Sequence, residues 1–174
     1  MNDSSNLLEI IKSHSVTKPN QVACEFLYAD NTDSSRLTYF QLDQQARCIA
    51  NYLQNYSLDK DARVLLVFPA GLEFIKAFIG CLYAGLISVP VSFPKPNRSL
   101  KDLERIINDA TIDIVLGTEK GLSILQQGID QRLNYININE ALTGKSQDWF
   151  QPPINPQAIV FLQYTSGSTG DPKG

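Results

Sequence analysis

Residues 63–68, Arg63-Val64-Leu65-Leu66-Val67-Phe68, are a short apolar run without alternation. A strand with one solvated face alternates apolar and polar side chains. An unbroken run is the pattern of a strand covered on both faces, as in a parallel sheet layered between helices. Pro69-Ala70-Gly71 ends the run. From position 72 to 83, Leu72, Phe74, Ile75, Phe78, Ile79 and Leu82 put apolar side chains on nearly all sides of a helix, which predicts deep burial. Gly85 is placed as its stop. The alternation continues with strands expected at 87–91, 112–116 and 135–138, and helices at 122–127 and from Ser99 with Asp102, where Leu103, Ile106, Ile107 and Ala110 share a face. Repeated strand-helix-strand order predicts an α/β fold, a largely parallel sheet flanked by helices.

Upstream, residues 7–12 read as a short helix with Leu7, Leu8, Ile10 and Ile11 on its apolar side. Residues 22–28 read as a strand, ended by a turn-rich stretch at 30–35. A helix then starts at Thr38. Its side chain can accept from the Gln41 N–H while Gln41 reaches back to the Thr38 N–H, and Leu37 and Leu42 sit where a hydrophobic staple requires. Leu42, Ala46, Ile49, Ala50 and Leu53 follow one face of that helix. Residues 93–97 form a proline-rich link, and 149–156 a linker with Pro152, Pro153 and Pro156.

With 174 residues the chain can bury one sizeable core, so one domain or a large part of one is expected. A formal net charge of -3, with lysines and arginines scattered, gives no basic footprint for nucleic acid. Cys24, Cys48 and Cys81 lie far apart, without metal-ligand spacing, and are read as reduced, mostly buried apolar residues. His14, the lone histidine, sits in a polar stretch and reads as a surface residue, so no metal site is expected. Neither a signal peptide nor an apolar run of membrane-spanning length is visible, which makes the cytoplasm the expected compartment.

Thr165-Ser166-Gly167-Ser168-Thr169-Gly170-Asp171-Pro172-Lys173-Gly174 directly follows the apolar run at 158–162. A polyphosphate needs many donors, close backbone approach and positive charge. Gly167, Gly170 and Gly174 remove the Cβ that blocks approach. Thr165, Ser166, Ser168 and Thr169 add hydroxyl donors to main-chain N–H groups, and Lys173 adds a point charge. A Walker loop is rejected: it needs glycine before its lysine and a hydroxyl residue after, whereas Pro172 precedes Lys173 and Gly174 follows. Pro172 also disfavours helical backbone at Asp171, where a Walker loop continues into helix. A plain Ser/Gly linker is the bland alternative, but it does not ordinarily follow a buried strand without a polar transition.

Residues 165–174 resemble the phosphate-loop motif of the adenylate-forming (ANL) superfamily, which includes acyl-CoA synthetases, nonribosomal-peptide adenylation domains and luciferases. Leu37-Thr38-Tyr39-Phe40-Gln41-Leu42 resembles that superfamily's first core motif, and the stretch from Leu82 to Val91 its second. Both upstream motifs are accounted for by helix initiation and by a helix-to-strand junction shaped by Gly85 and Pro90. Phe161-Leu162-Gln163-Tyr164 and the stretch from Pro94 to Leu100 are most similar to the fatty-acyl-AMP ligases. Acyl-CoA synthetases more often carry threonine where this chain has Ser168. Phe161 and Tyr164 themselves read as core or strand residues rather than acyl-pocket walls.

The resemblance implies an enzyme that binds ATP with Mg2+ and a fatty acid. The carboxylate attacks the α-phosphorus, pyrophosphate leaves, and the acyl group passes to the phosphopantetheine thiol of an acyl carrier protein or carrier domain. Such a ligase serves fatty-acid, polyketide or nonribosomal-peptide biosynthesis. Thr165, Ser166, Gly167, Ser168, Thr169, Gly170 and Lys173 are implied to clamp the β- and γ-phosphates, and no catalytic residue is expected within 1–174. The chain is expected to be the N-terminal portion of an adenylation domain, ending in the phosphate loop and inactive by itself. The adenine, ribose and magnesium motifs and the C-terminal domain with its lysine are expected downstream. An exposed apolar face and an unpaired strand edge are expected near 158–164. A fatty acyl-CoA synthetase, a peptide-synthetase adenylation domain and a non-catalytic binding module that keeps the fold remain alternatives.

Overall fold

A computed structural model describes residues 6–28, 33–56, 58–59, 61–95, 99–129, 133–153, 155, 157–166 and 172–173. Its centre is a four-stranded, wholly parallel sheet of order β4-β3-β5-β6, with β3 at Arg63–Val67, β4 at Ile87–Pro90, β5 at Ile114–Gly117 and β6 at Asn134–Asn137. The unbroken run in β3 is buried on both sides. Val64 and Leu66 enter one apolar cluster with α2 (Tyr39–Gln54) and α3 (Leu72–Ala84). Leu65 and Val67 enter another with α4 (Lys101–Asp109) and α5 (Glu119–Gly128). Each such burial is worth roughly 1.5–3 kcal/mol, so the run stabilises only a three-layer arrangement.

The crossovers explain the order. From β3 the chain returns through α3 on one face to β4; from β4 it crosses through α4 on the opposite face to β5, beyond β3. Stepping in opposite directions along a sheet by right-handed connections puts successive helices on opposite faces.

The N-terminal third caps this body. The helix α1 (Leu7–Thr17) runs five residues beyond the expected end, and a capping box of Asn6 and Glu9 starts it. Only Ile11 of its apolar residues is fully buried; Leu7 and Ile10 are exposed. Val22–Leu27 (β1) pairs antiparallel with Ser34–Thr38 (β2), so part of the stretch read as turn is strand. That reading failed because Ser34 and Ser35 carry no apolar signal and become strand through the backbone of β1. The Thr38–Gln41 capping box forms as expected, with bonds of 3.0 and 3.2 Å, and Leu37 and Leu42 are buried in one cluster.

Two helix readings need correction. Phe74, Ile75 and Phe78 of α3 are only half-buried, packed at the margins of the apolar clusters that α3 shares with the sheet and α2. The helix α4 has Leu100 at its N-cap with no side-chain cap bond; Ser99 Oγ instead accepts from the Lys101 N–H at 3.3 Å. Gly85 adopts φ +75° at the end of α3. His14 is half-buried, edge-on to the Tyr39 ring at 4.7 Å. All three cysteines are free, Cys81 buried and Cys24 and Cys48 half-buried.

After β6, a short helix α6 (Ile138–Ala141) and a 3-10 turn at Ser146–Asp148 lead the chain back along α2. Trp149 ends this return. Its ring stacks on buried Tyr83 with centroids 5.0 Å apart, its indole N–H donates to the Tyr83 carbonyl at 2.9 Å, and the Arg47 guanidinium lies 4.7 Å from its centroid. The proline linker is thereby tied down at its first residue. Among the described residues no helix is long and apolar enough to cross a membrane.

Candidate functional site

The segment after the linker reaches the outer edge of β4. Phe161 makes a parallel bridge with Ser88; the Ser88 N–H donates to the Val160 carbonyl at 3.1 Å, and the Leu162 N–H to the Ser88 carbonyl at 2.9 Å. One edge of this segment is therefore paired, along the outer edge of β4. The apolar exposure expected there is present at Ile159, Val160 and Phe161. Phe161 packs edge-on against Phe78 while remaining exposed, and Leu162 and Tyr164 pack against the α4/α5-side cluster, with Tyr164 also lining the cleft at the carboxyl end of the sheet.

Because the bridge is parallel, the chain leaves it at the carboxyl end of the sheet. There Thr165–Ser166 (β7) pairs antiparallel with Pro172–Lys173 (β8), Thr165 opposite Lys173 and Ser166 opposite Pro172. The extended backbone at Pro172 and Lys173 agrees with the rejection of a helix-borne Walker lysine. Of the expected clamp, Thr165 is exposed, and Ser166 and Lys173 are placed by their backbones. Gly167, Ser168, Thr169 and Gly170 lie outside the described residues.

Thr165 borders a cleft of about 870 Å³ at the same end of the sheet. Its floor is apolar, with Phe68 and Pro69 following β3, Val91 and Phe93 following β4, and Leu103 and Ile106 from α4. Lys95, Ser99 and Asp102 give it polar edges. Helices after β3 and β4 leave on opposite faces, and the crevice opened outside the carboxyl ends of such strands is where open α/β sheets bind ligands. Composition and periodicity carried no sign of this cleft, since its walls come from four separate stretches of chain, within 68–74, 90–95, 99–106 and 163–165.

Tyr164 lies between sheet and loop. Its hydroxyl donates to Asp109 Oδ2 at 2.5 Å. Burial of the phenol, with the Asp109 carboxylate beside it, pushes its pKa up to about 12, so it remains a neutral donor at ordinary pH. Among the described residues no group of three His, Cys, Asp or Glu side chains is placed to hold a metal ion.

Residues 11–174 match the family model described as AMP-binding enzyme. The chain is 37% identical over 179 residues to the medium-chain-fatty-acid–[acyl-carrier-protein] ligase JamA of Moorena producens (strain JHB), covering 98% of this chain and 30% of that protein. It is 30% identical over 182 residues to 4-hydroxyphenylalkanoate adenylyltransferase of Mycobacterium marinum (strain ATCC BAA-535 / M), covering 98% and 29% respectively. Among solved structures, the fatty acyl-adenylate ligase from L. pneumophila, in complex with acyl adenylate and pyrophosphate, superposes with a TM-score of 0.86 at 35% identity over 96% of this chain and 29% of that one. The chain thus spans about 30% of the length of the relatives it matches. With the sheet, the loop hairpin and the family match in agreement, the chain belongs to the AMP-binding enzyme family and has the α/β fold of the N-terminal part of the adenylate-forming enzymes.

Proposed function

We propose that this chain is the N-terminal portion of a fatty-acid-activating ligase and carries its phosphate clamp. In the full protein a fatty carboxylate, already ionised at neutral pH, attacks the α-phosphorus of ATP, so no general base is needed. Pyrophosphate leaves, and the acyl group then passes from the adenylate to the phosphopantetheine thiol of a carrier protein or carrier domain. The observation that carries this reading is the hairpin of Thr165–Ser166 with Pro172–Lys173 at the carboxyl end of the parallel sheet, beside the cleft. It brings the two ends of the glycine- and hydroxyl-rich loop together where oriented N–H groups and a lysine serve an anion.

In this proposal Thr165, Ser166, Gly167, Ser168, Thr169, Gly170 and Lys173 hold the β- and γ-phosphates. Their work is charge neutralisation on the leaving pyrophosphate and in-line positioning. Mg2+, a cytoplasmic location and fatty acids as the acid substrate belong to the same proposal. Relatives that are fatty-acid–[acyl-carrier-protein] and fatty acyl-adenylate ligases support the choice of acid.

The test is fatty-acid-dependent ATP–pyrophosphate exchange by the full-length protein, followed by acyl transfer to a holo carrier protein or to CoA. Exchange with fatty acids and transfer to the carrier are expected. Exchange with amino acids alone, or with no acid, refutes the reading, and efficient acyl-CoA formation makes the protein an acyl-CoA synthetase instead. Lys173→Ala is expected to lower exchange about tenfold to a hundredfold, the loss of one charge-assisted phosphate contact. Residues 1–174 alone are expected to catalyse no exchange.

A further inference from the structure

We propose that the Tyr164–Asp109 hydrogen bond is a positioning contact that sets the phosphate loop for ATP. This rests on the adenylating reading and adds two residues to it. Tyr164 immediately precedes β7, and two residues earlier Leu162 is held by the Ser88 carbonyl. The chain thus enters the loop fixed at alternate positions, by backbone on one side and by the phenol on the other. The partner, Asp109, is the last residue of α4. That helix also borders β8, at the loop's return, and its earlier residues Asp102, Leu103 and Ile106 line the cleft. One rigid element therefore touches the cleft and both bases of the loop.

Helix stability does not account for Asp109. A carboxylate at a helix C-terminus opposes the macrodipole, and its side chain is exposed. Its described role is non-local: it accepts from Tyr164, 55 residues away. Arg63 completes the corner, with Nη1 donating to the carbonyl of Ala110, the residue after Asp109, at 2.5 Å. A guanidinium and a phenol thus meet at the end of α4, and the phenol is the group that continues into the loop.

Tyr164→Phe removes only the hydroxyl. In the full-length enzyme it is expected to raise the KM for ATP in pyrophosphate exchange about threefold to tenfold, the worth of one hydrogen bond to a charged acceptor at a part-exposed site, with the fatty-acid KM unchanged. Asp109→Ala is expected to match it, and the double variant to be no worse than either single one, since both remove the same contact. Asp109→Asn keeps an acceptor and is expected to stay close to wild type. A contact that only supports the fold lowers the melting temperature of Tyr164→Phe and leaves the ATP KM unmoved; that result, or additive effects in the double variant, overturns the assignment. If the wild type shows no fatty-acid-dependent exchange, the adenylating reading falls and this role with it. If the wild type exchanges and the variants keep its ATP KM, only the positioning role falls.

Discussion

Gly144 holds the returning chain against α2, and Gly144→Ala tests how tightly. A Cβ at this position falls 2.0 Å from the Cys48 carbonyl oxygen, 2.9 Å from its carbon and 3.0 Å from the Tyr52 nitrogen. These are backbone atoms inside α2 and cannot rotate aside, so the loop has to retreat by about 1 Å or more. Two hydrogen bonds lie next to the retreat: the Lys145 N–H to Asn51 Oδ1 at 2.9 Å and Ser146 Oγ to Gln44 Oε1 at 2.8 Å. Each is worth about 1 kcal/mol net. The Trp149 stack on Tyr83 follows a few residues on, and its partial loss adds up to about 1 kcal/mol. The expected destabilisation is therefore about 2–3 kcal/mol, or roughly 5–10 °C in melting temperature for a chain of this size. Circular dichroism measures the stability. Trp149 emission, taken as the difference from Trp149→Phe, reports the loop and is expected to shift to longer wavelength as the indole loses the Tyr83 carbonyl. A variant within about 0.5 kcal/mol of wild type and with unchanged emission refutes the close approach.

Tyr83→Phe removes the buried hydroxyl that donates to Asp43 Oδ1 at 2.8 Å and leaves Asp43, 2 % exposed, to Arg47 alone; a loss of about 1.5–3 kcal/mol is expected by denaturant unfolding, and a neutral result argues against the triad. Gly85→Ala places an L-residue at φ +75°, with its Cβ 3.0 Å from Pro152 Cγ, and is expected to cost about 1–2 kcal/mol; Gly85→Asn is expected to cost less, and equal stability of all three proteins counts against the left-handed cap. Burial pushes the Cys81 thiol up to about 12, so one cysteine is expected to resist thiol reagents at pH 8 until the chain unfolds. Since the folded pKa is the higher one, its stabilising contribution is complete below the unfolded value of about 8.5 and declines as pH rises from there towards 12. Prompt labelling of all three thiols in the folded protein contradicts this.

Much of the fold was legible locally. Val64 to Val67 carry a doubly covered strand in their lack of alternation, and Thr38 with Gln41 carry a helix start in two reciprocal bonds. Gly85 marks a stop because a left-handed residue is cheap only for glycine. The extended backbone at Pro172 and Lys173 was legible for a similar reason: a proline before the lysine and a glycine after it already depart from the helical Walker form.

Wherever a contact joins distant residues, local pattern was silent. Ser34 and Ser35 become strand only because β1 lies alongside, and Asp109 looks like an ordinary solvated carboxylate until Tyr164 arrives 55 residues later. The sequence alone determined the α/β class, the main helix and strand positions around the central sheet and the non-helical backbone at Pro172 and Lys173, since periodicity, caps and turn chemistry act over a few neighbouring residues. The tertiary structure alone decided the order β4-β3-β5-β6, the parallel bridge of Phe161 to Ser88 that delivers the loop to the carboxyl end of the sheet, and the cleft beside it. Those depend on which buried faces meet, and that is settled by packing across the whole chain.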